Sequence, residues 1–180
     1  MKLPKIEVRN VVVSVKFADK LDLKSLKALP RAEYKPKNFP GVVYYMDKPK
    51  ASFLIFGSGK MNCVGANSLE NAKKAIKLMV SKLKEVGVKT YEKPEITVQN
   101  MVASADLGRE LNLNTIAYST PTTEYGPEQF PGLVYRMEDP KIVFLLFAKG
   151  KVVITGAKSL EKARKGLKKL VEMLKRIGQY

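Results

Sequence analysis

Two stretches of this chain carry nearly the same text. KNFPGVVYYMDKPKASFLIFGSGKMNCVGANSLENA, Lys37 to Ala72, returns 91 positions later as EQFPGLVYRMEDPKIVFLLFAKGKVVITGAKSLEKA, Glu128 to Ala163. The likeness extends upstream: EVRNVVVSV from Glu7 answers TVQNMVASA from Thr97, and LDL from Leu21 answers LNL from Leu111, both at an offset of 90. EYKPKNFPG from Glu33 then answers EYGPEQFPG from Glu124 at 91, so the second copy gains one residue in between. A chain written twice is expected to fold as two like halves, residues 1–90 and 91–180, joined at the short polar stretch KTYEKPE with its Pro94. Two copies at this period are too few for a solenoid. The expectation is a pair of homologous halves about a pseudo-twofold axis.

Within a half the pattern is mixed. Val11–Phe17 is a β-branched strand. LDLKSLKAL suits one or two short helices, stopped by Pro30. Tyr34 lies in a short strand, and Val42–Met46, Ser52–Phe56 and Lys60–Val64 are strands separated by the turn signals NFPG, DKPK and GSGK. A long helix closes the half. Ser68 suits its N-cap, Glu70 its positive end and Gly87 its stop, and Leu69, Ala72, Ile76, Met79, Val80, Leu83 and Val86 make one apolar stripe. Ser159, Glu161 and Gly178 repeat the signals, with a stripe of Leu160, Ala163, Leu167, Leu170, Val171, Leu174 and Ile177. Five strands per half with helices between them predict an antiparallel α+β sheet covered by helices on one face.

The uncovered face is unusual. A sheet with one wet side should alternate apolar and polar residues. Yet Phe53–Phe56 and Val143–Phe147 are apolar throughout, so Leu54, Phe56, Leu145 and Phe147 point away from the helices. Asn10, Val12 and Ser14 share that face in the first strand. The result is an apolar surface with short polar groups, and short of charge at its middle. No strands are left over to cover it, and an exposed apolar face of this extent marks a binding surface.

Composition narrows what binds there. Lys and Arg total 33 against 17 Asp and Glu, a net charge of +16, which suits a polyanion, nucleic acid before anionic lipid. There is no His, which excludes His-based triads, proton shuttles and zinc sets, and the one cysteine, Cys63, reads as a small core residue. The start MKLPKIEVRN has no apolar leader and no apolar run approaches a membrane span, so a soluble intracellular protein with no membrane partner is expected. No cofactor, metal or catalytic group is expected either.

The residues NFPGVVYYM with PKASFLIFGSGKM, and QFPGLVYRMEDPKIVFLLFAKGKVVITGAK, closely resemble the TATA-binding protein family over essentially the whole chain, in its archaeal form. The resemblance implies one saddle-shaped, ten-stranded antiparallel sheet with four helices on its convex face. It implies a general transcription initiation factor that binds the minor groove of the TATA box and nucleates the preinitiation complex. Its place would be the archaeal cytoplasm and nucleoid, or the nucleus of a eukaryote. The implied wedges are Phe39 and Phe56 in one half and Phe130 and Phe147 in the other; such side chains unstack base steps and kink the duplex. Asn10 and Asn100 match central amides that donate to base acceptors. Val12, Val102, Val153, Leu54 and Leu145 match apolar floor contacts, and Thr155 a hydroxyl donor. An apolar floor admits A·T pairs and rejects the guanine amino group. Arg136, Lys60, Lys151, Lys149 and Ser58 stand where phosphate contacts are expected. Glu128, in the second TEYGPEQFPG loop, matches an acidic contact for transcription factor B, through which the RNA polymerase machinery is engaged indirectly. A homodimer of the DNA-free chain is a further partner the resemblance allows.

The first half departs from the pattern. Val64 stands where Thr155 does, Asn62 where Val153 does, and Tyr45 where Arg136 does, so equal grip by the two halves is not expected. In the second loop Gly126 and Gln129 replace two contact positions. Two other classes compete. A sheet-platform RNA-binding protein would place its aromatics mid-strand to stack on unpaired bases and needs no tandem wedge. An enzyme related to the fold would need a positioned acid or base; Asp106 and Glu110 are the only acids near that end of the sheet, and neither is expected to have a partner.

Overall fold

The computed structural model describes residues 2–180. The elements run β1 (Glu7–Lys16), a 3-10 helix (Leu23–Ala28), β2 (Ala32–Tyr34), β3 (Val42–Asp47), β4 (Lys50–Ile55), β5 (Lys60–Ala66), α1 (Leu69–Glu85), β6 (Glu95–Asp106), α2 (Leu113–Ser119), β7 (Thr123–Glu124), β8 (Leu133–Met137), β9 (Ile142–Leu146), β10 (Lys151–Ala157) and α3 (Leu160–Arg176). The strands form one ten-stranded sheet in the order β2-β3-β4-β5-β1-β6-β10-β9-β8-β7, the same five-strand series written forwards and then in mirror order. Packing divides the chain into two compact units. One is Asn10–Gln99; the other is Asn100–Tyr180 together with the segment ending at Arg9. That segment belongs to the second unit because Leu3 and Ile6 pack on its core.

In each unit alternation decides which side faces the helices. Val11, Val13, Val15, Phe53, Ile55, Met61 and Cys63 are fully or almost fully buried against Ala72, Ala75, Ile76, Met79 and Leu83 of α1. The second unit buries Ala103, Ala105, Phe144, Leu146, Val152 and Ile154 with Leu167, Leu170, Val171 and Leu174 of α3. Phe53 and Phe144 are 0% exposed, so each contributes roughly 1.5–3 kcal/mol by burial. Burial also pushes the Cys63 thiol up to about 11, the behaviour of an inert core thiol. The apolar stripes hold in the middle of both helices, while Leu69, Val86, Leu160 and Ile177 at their ends are only half-buried.

The helix ends follow local chemistry. Ser68 Oγ accepts the Asn71 N–H at 3.0 Å and Ser159 Oγ the Lys162 N–H at 3.1 Å, satisfying a first-turn donor in each case. Glu70 and Glu161 lie in those first turns, where the helix dipole favours a carboxylate.

One element differs in kind between the units. The first connection is a 3-10 helix of 6 residues, the second an α-helix of 7. At about 2.0 Å per residue in the first and 1.5 Å in the second, they span roughly 12 and 10.5 Å. The tighter-wound, longer-rising helix lets the shorter sequence cover a similar distance. This is where the extra residue of the second copy is taken up.

Candidate nucleic-acid interface

The strand registers carry the uncovered face in rows. In the first unit Val43, Leu54, Asn62 and Ser14 are successive neighbours across β3, β4, β5 and β1. In the second, Val134, Leu145, Val153 and Ser104 make the corresponding row across β8, β9, β10 and β6. A parallel row is Tyr45, Ser52 and Val64 in one unit and Arg136, Val143 and Thr155 in the other. Val12, Val102, Leu54, Leu145, Val64 and Val153 are all half-buried, and no helix covers them.

In each unit the two phenylalanine rings are in contact. Phe39 is presented by a turn in which its N–H donates to the Lys35 carbonyl; Phe56 closes β4 by donating to the Lys60 carbonyl. Their rings meet edge to face, centroids 5.8 Å apart at 62°. Phe130 and Phe147 repeat this at 5.9 Å and 72°, held by bonds to Gly126 and Lys151 carbonyls. Phe130 is the most open of the four, 40% exposed. Such pairs favour edge-to-face contact by about 0.5–1.5 kcal/mol beyond burial. The glycine of each Pro-Gly makes room for the pair. A Cβ at Gly41 would lie 2.9 Å from the Phe39 ring and 3.1 Å from Phe56; at Gly132 it would lie 2.7 Å from Phe130 and 3.0 Å from Phe147. Read as sequence, these glycines signal only a turn. Their repetition two residues after each Phe is the signal that finds this second role.

The central asparagines are oriented by the backbone. Asn10 Oδ1 accepts the Gly65 N–H at 2.7 Å, and Asn100 Oδ1 accepts the Gly156 N–H at 2.8 Å. An N–H donates, so the bonded atom is the amide oxygen and the NH₂ points elsewhere. Both glycines have positive φ, 89° and 94°, and sit where the register of β5 and β10 shifts. The bulge thus turns an N–H toward the asparagine. The NH₂ groups differ. That of Asn100 donates to Thr155 Oγ1 at 3.2 Å, which leaves the Thr155 hydroxyl proton free to donate outward. Val64 offers no such acceptor to Asn10.

Two of the expected rim residues are engaged in local ion pairs. Lys151 Nζ is 2.7 Å from Asp106 Oδ2, and Arg136 Nε is 3.5 Å from Glu124. Asp106 therefore has a partner, contrary to the expectation from sequence, because Lys151 of β10 lies opposite it in register. The Lys151 ammonium, then the Gly108 N–H, hold its carboxyl below the ordinary range, which suits a structural carboxylate rather than an acid or base. Lys60 is exposed and faces Lys16 across the ladder, and the Ser58 carbonyl accepts from Lys16 Nζ at 2.6 Å. Lys149 lies exposed in the β9–β10 turn, and Glu128 is exposed in the loop before Phe130. Sequence reasoning missed Arg9, whose Nε donates to Ser104 Oγ at 2.8 Å; nothing in its spacing marks it.

These features define a duplicated α+β protein built on a single-sheet platform. The sequence matches the family described as transcription factor TFIID, or TATA-binding protein, over residues 5–86 and 95–177. The TATA-box-binding protein of Methanocaldococcus jannaschii is 53% identical over 177 residues, covering 98% of this chain and 97% of that one. That of Archaeoglobus fulgidus is 48% identical over 177 residues, covering 97% of each. The solved Methanococcus jannaschii TBP superposes with a TM-score of 0.90, covering 96% of this chain and 99% of that one. The chain belongs to the TATA-binding protein family.

Proposed function

We propose that this chain is a general transcription initiation factor that binds duplex DNA at the TATA box through its uncovered sheet face. The observation that carries this reading is the repeated edge-to-face phenylalanine pair, one at the outer end of each half's face. Phe39 with Phe56, and Phe130 with Phe147, enter base steps and kink the duplex. Minor-groove proteins use apolar wedges in this way, with a kink of 20–90°. Asn10, Asn100 and Thr155 donate to base acceptors, while Val12, Val102, Val153, Leu54 and Leu145 form the floor that refuses the guanine amino group. Arg136, Lys60, Lys151, Lys149 and Ser58 meet phosphates; Lys151 exchanges its Asp106 partner for a phosphate on binding.

The repeat units are residues 1–90 and 91–180, each supplying one wedge pair. The chain acts inside the cell, on DNA in the cytoplasm and nucleoid if the source is archaeal. Transcription factor B docks on the loop carrying Glu128, which brings in the polymerase machinery, and without DNA the sheet faces of two copies associate. The reading involves no catalysis and no cofactor. Competition between a TATA duplex, a TATA-free duplex and single-stranded RNA tests it. The TATA duplex should win, with its ends drawn together by energy transfer; preference for the RNA would end this reading. Glu128→Arg should weaken recruitment of transcription factor B to the bound duplex while leaving duplex binding unchanged.

A further inference from the structure

We propose that the outer face of α3, with the groove at its start, is a second binding site for double-stranded DNA. It is independent of sequence and lies along α3; the groove reaches the sheet margin at Arg136 and Val143, and none of the four wedge phenylalanines lines it. α3 carries seven cations, Lys162, Arg164, Lys165, Lys168, Lys169, Lys175 and Arg176, against two carboxylates, Glu161 and Glu172. Only Lys169 is in an ion pair among the described residues, with Asp139 at 3.2 Å, and the other six are exposed. From Lys162 to Arg176 the helix axis runs about 21 Å, long enough to follow several phosphates of one strand at about 3.4 Å each.

At the start of this face lies an open groove of about 820 Å³ between the β8–β9 turn, the end of β10 and α3. Lys141, Lys158, Lys162 and Lys165 line it. Of its two acids, Asp139 is already held by Lys169, leaving Glu138 alone against four lysines. The first half provides an internal control. The positions of Lys158 and Lys162 are there Asn67 and Asn71, which bond each other at 2.8 Å, and that of Lys165 is Lys74, tied to Glu70 at 3.1 Å. A lysine-rich composition therefore does not build this groove by itself.

The chemistry favours DNA over an acidic protein. A protein partner needs an apolar, desolvated centre to its interface. α3 exposes no large apolar side chain, whereas α1 exposes Leu78 at 45%. Phosphate binding needs no such centre; it draws on counterion release, with a log–log salt slope of about −0.9 per phosphate neutralised. Four lysine contacts give a slope near −3.6, so affinity for the second duplex should fall roughly 100-fold between about 50 and 200 mM salt.

The test uses the full chain bound to an immobilised TATA duplex, washed free of unbound protein, and then offered a labelled TATA-free duplex. Protein retained on the beads is measured separately, so failure of the TATA-box reading is seen as loss of protein, not of label. The wild type should capture label with the salt dependence above. The triple variant Lys158→Asn, Lys162→Asn, Lys165→Gln, which installs uncharged side chains at exposed positions, should be retained equally but capture at least tenfold less label. Polyglutamate of matched charge should compete far less well than unlabelled duplex. No capture by the retained wild type, equal capture by the variant, or stronger competition by polyglutamate would each overturn the proposal.

Discussion

The two halves share a backbone plan but not a surface. Asn100 sits in a relay in which Gly156 donates to its oxygen and its NH₂ donates to Thr155. Asn10 has only the first of these bonds, since Val64 replaces the threonine. Tyr45, 52% exposed, stands where Arg136 offers a guanidinium, and Asn62, bonded to Ser14, stands where Val153 is plainly apolar. The second half therefore has one more cation and the Thr155 hydroxyl on its face, while the first half has the additional amide of Asn62. The two repeats thus present different side chains at matching positions of the same fold.

The largest departure should come from the wedges. Phe147→Ala leaves the phosphate contacts in place but removes the kink at one end; loose electrostatic binding survives, and energy transfer between DNA ends should drop toward the free-duplex value. Phe56→Ala should do the same at the other end. An unchanged bend in either variant would remove that Phe from the wedge assignment.

Next come the glycines beneath the rings. A Cβ at Gly41 meets the Ile55 carbonyl at 2.9 Å as well as the rings, whereas at Gly132 the nearest atoms belong to the phenylalanines alone. Side chains yield more readily than backbone. Gly41→Ala should therefore cost about 1–3 kcal/mol of stability, and Gly132→Ala less, while both disturb the wedge pair. Denaturant midpoints settle the order.

Asn100→Asp keeps the acceptor for Gly156 but turns the Thr155 hydroxyl inward and places a charge among base acceptors. TATA affinity should fall about 5- to 150-fold, from the 1–3 kcal/mol of an unmatched buried polar group, and Asn100→Ala should cost less. Equal losses in a salt-matched titration would contradict a central donor role. The comparison is sharpened further by exchange: Val64→Thr with Thr155→Val moves the extra hydroxyl to the first half. Overall affinity should change by less than about tenfold, while directional preference on an asymmetric TATA element weakens or reverses, as footprinting of a one-sided cleavage probe would report.

The smallest effect concerns Asp106. Its carboxyl is held low in the folded chain, so its support is full above the ordinary carboxylate range, near 3.9, and fades as pH falls through the lowered folded value. Asp106→Asn should melt slightly lower than wild type at neutral pH, with the gap closing on acidification. Freed from that pair, Lys151 should also bind DNA up to about fivefold more tightly, the range of an exposed ion pair. A melting gap that persists at acid pH would show that the pair is not its source.

Much of this was legible in the text of the chain because burial alternates with period two. Phe53 inward and Phe56 outward follow from parity alone, and so do the stripes on α1 and α3. What spacing does not carry is long-range pairing at irregular points. The Asn10–Gly65 and Asn100–Gly156 bonds depend on a bulge, and a bulge breaks the alternation by which strands are read. The Asp106–Lys151 pair depends on strand register across 45 residues. The 3-10 winding of Leu23–Ala28 is a choice among helix types that LDLKSLKAL supports equally well.

That last choice bears on how such a protein can change over generations. The added residue of the second copy is absorbed by a switch from one helical winding to another, outside the sheet. From Leu133 to Met137 the β8–β9 ladder keeps the register of β3–β4: Val134 still faces Leu145 as Val43 faces Leu54. Slippage by one residue inside a strand would have turned the whole reading face over. The helical connection serves as a tolerance joint, taking up a difference in length while the strand registers within each copy stay the same.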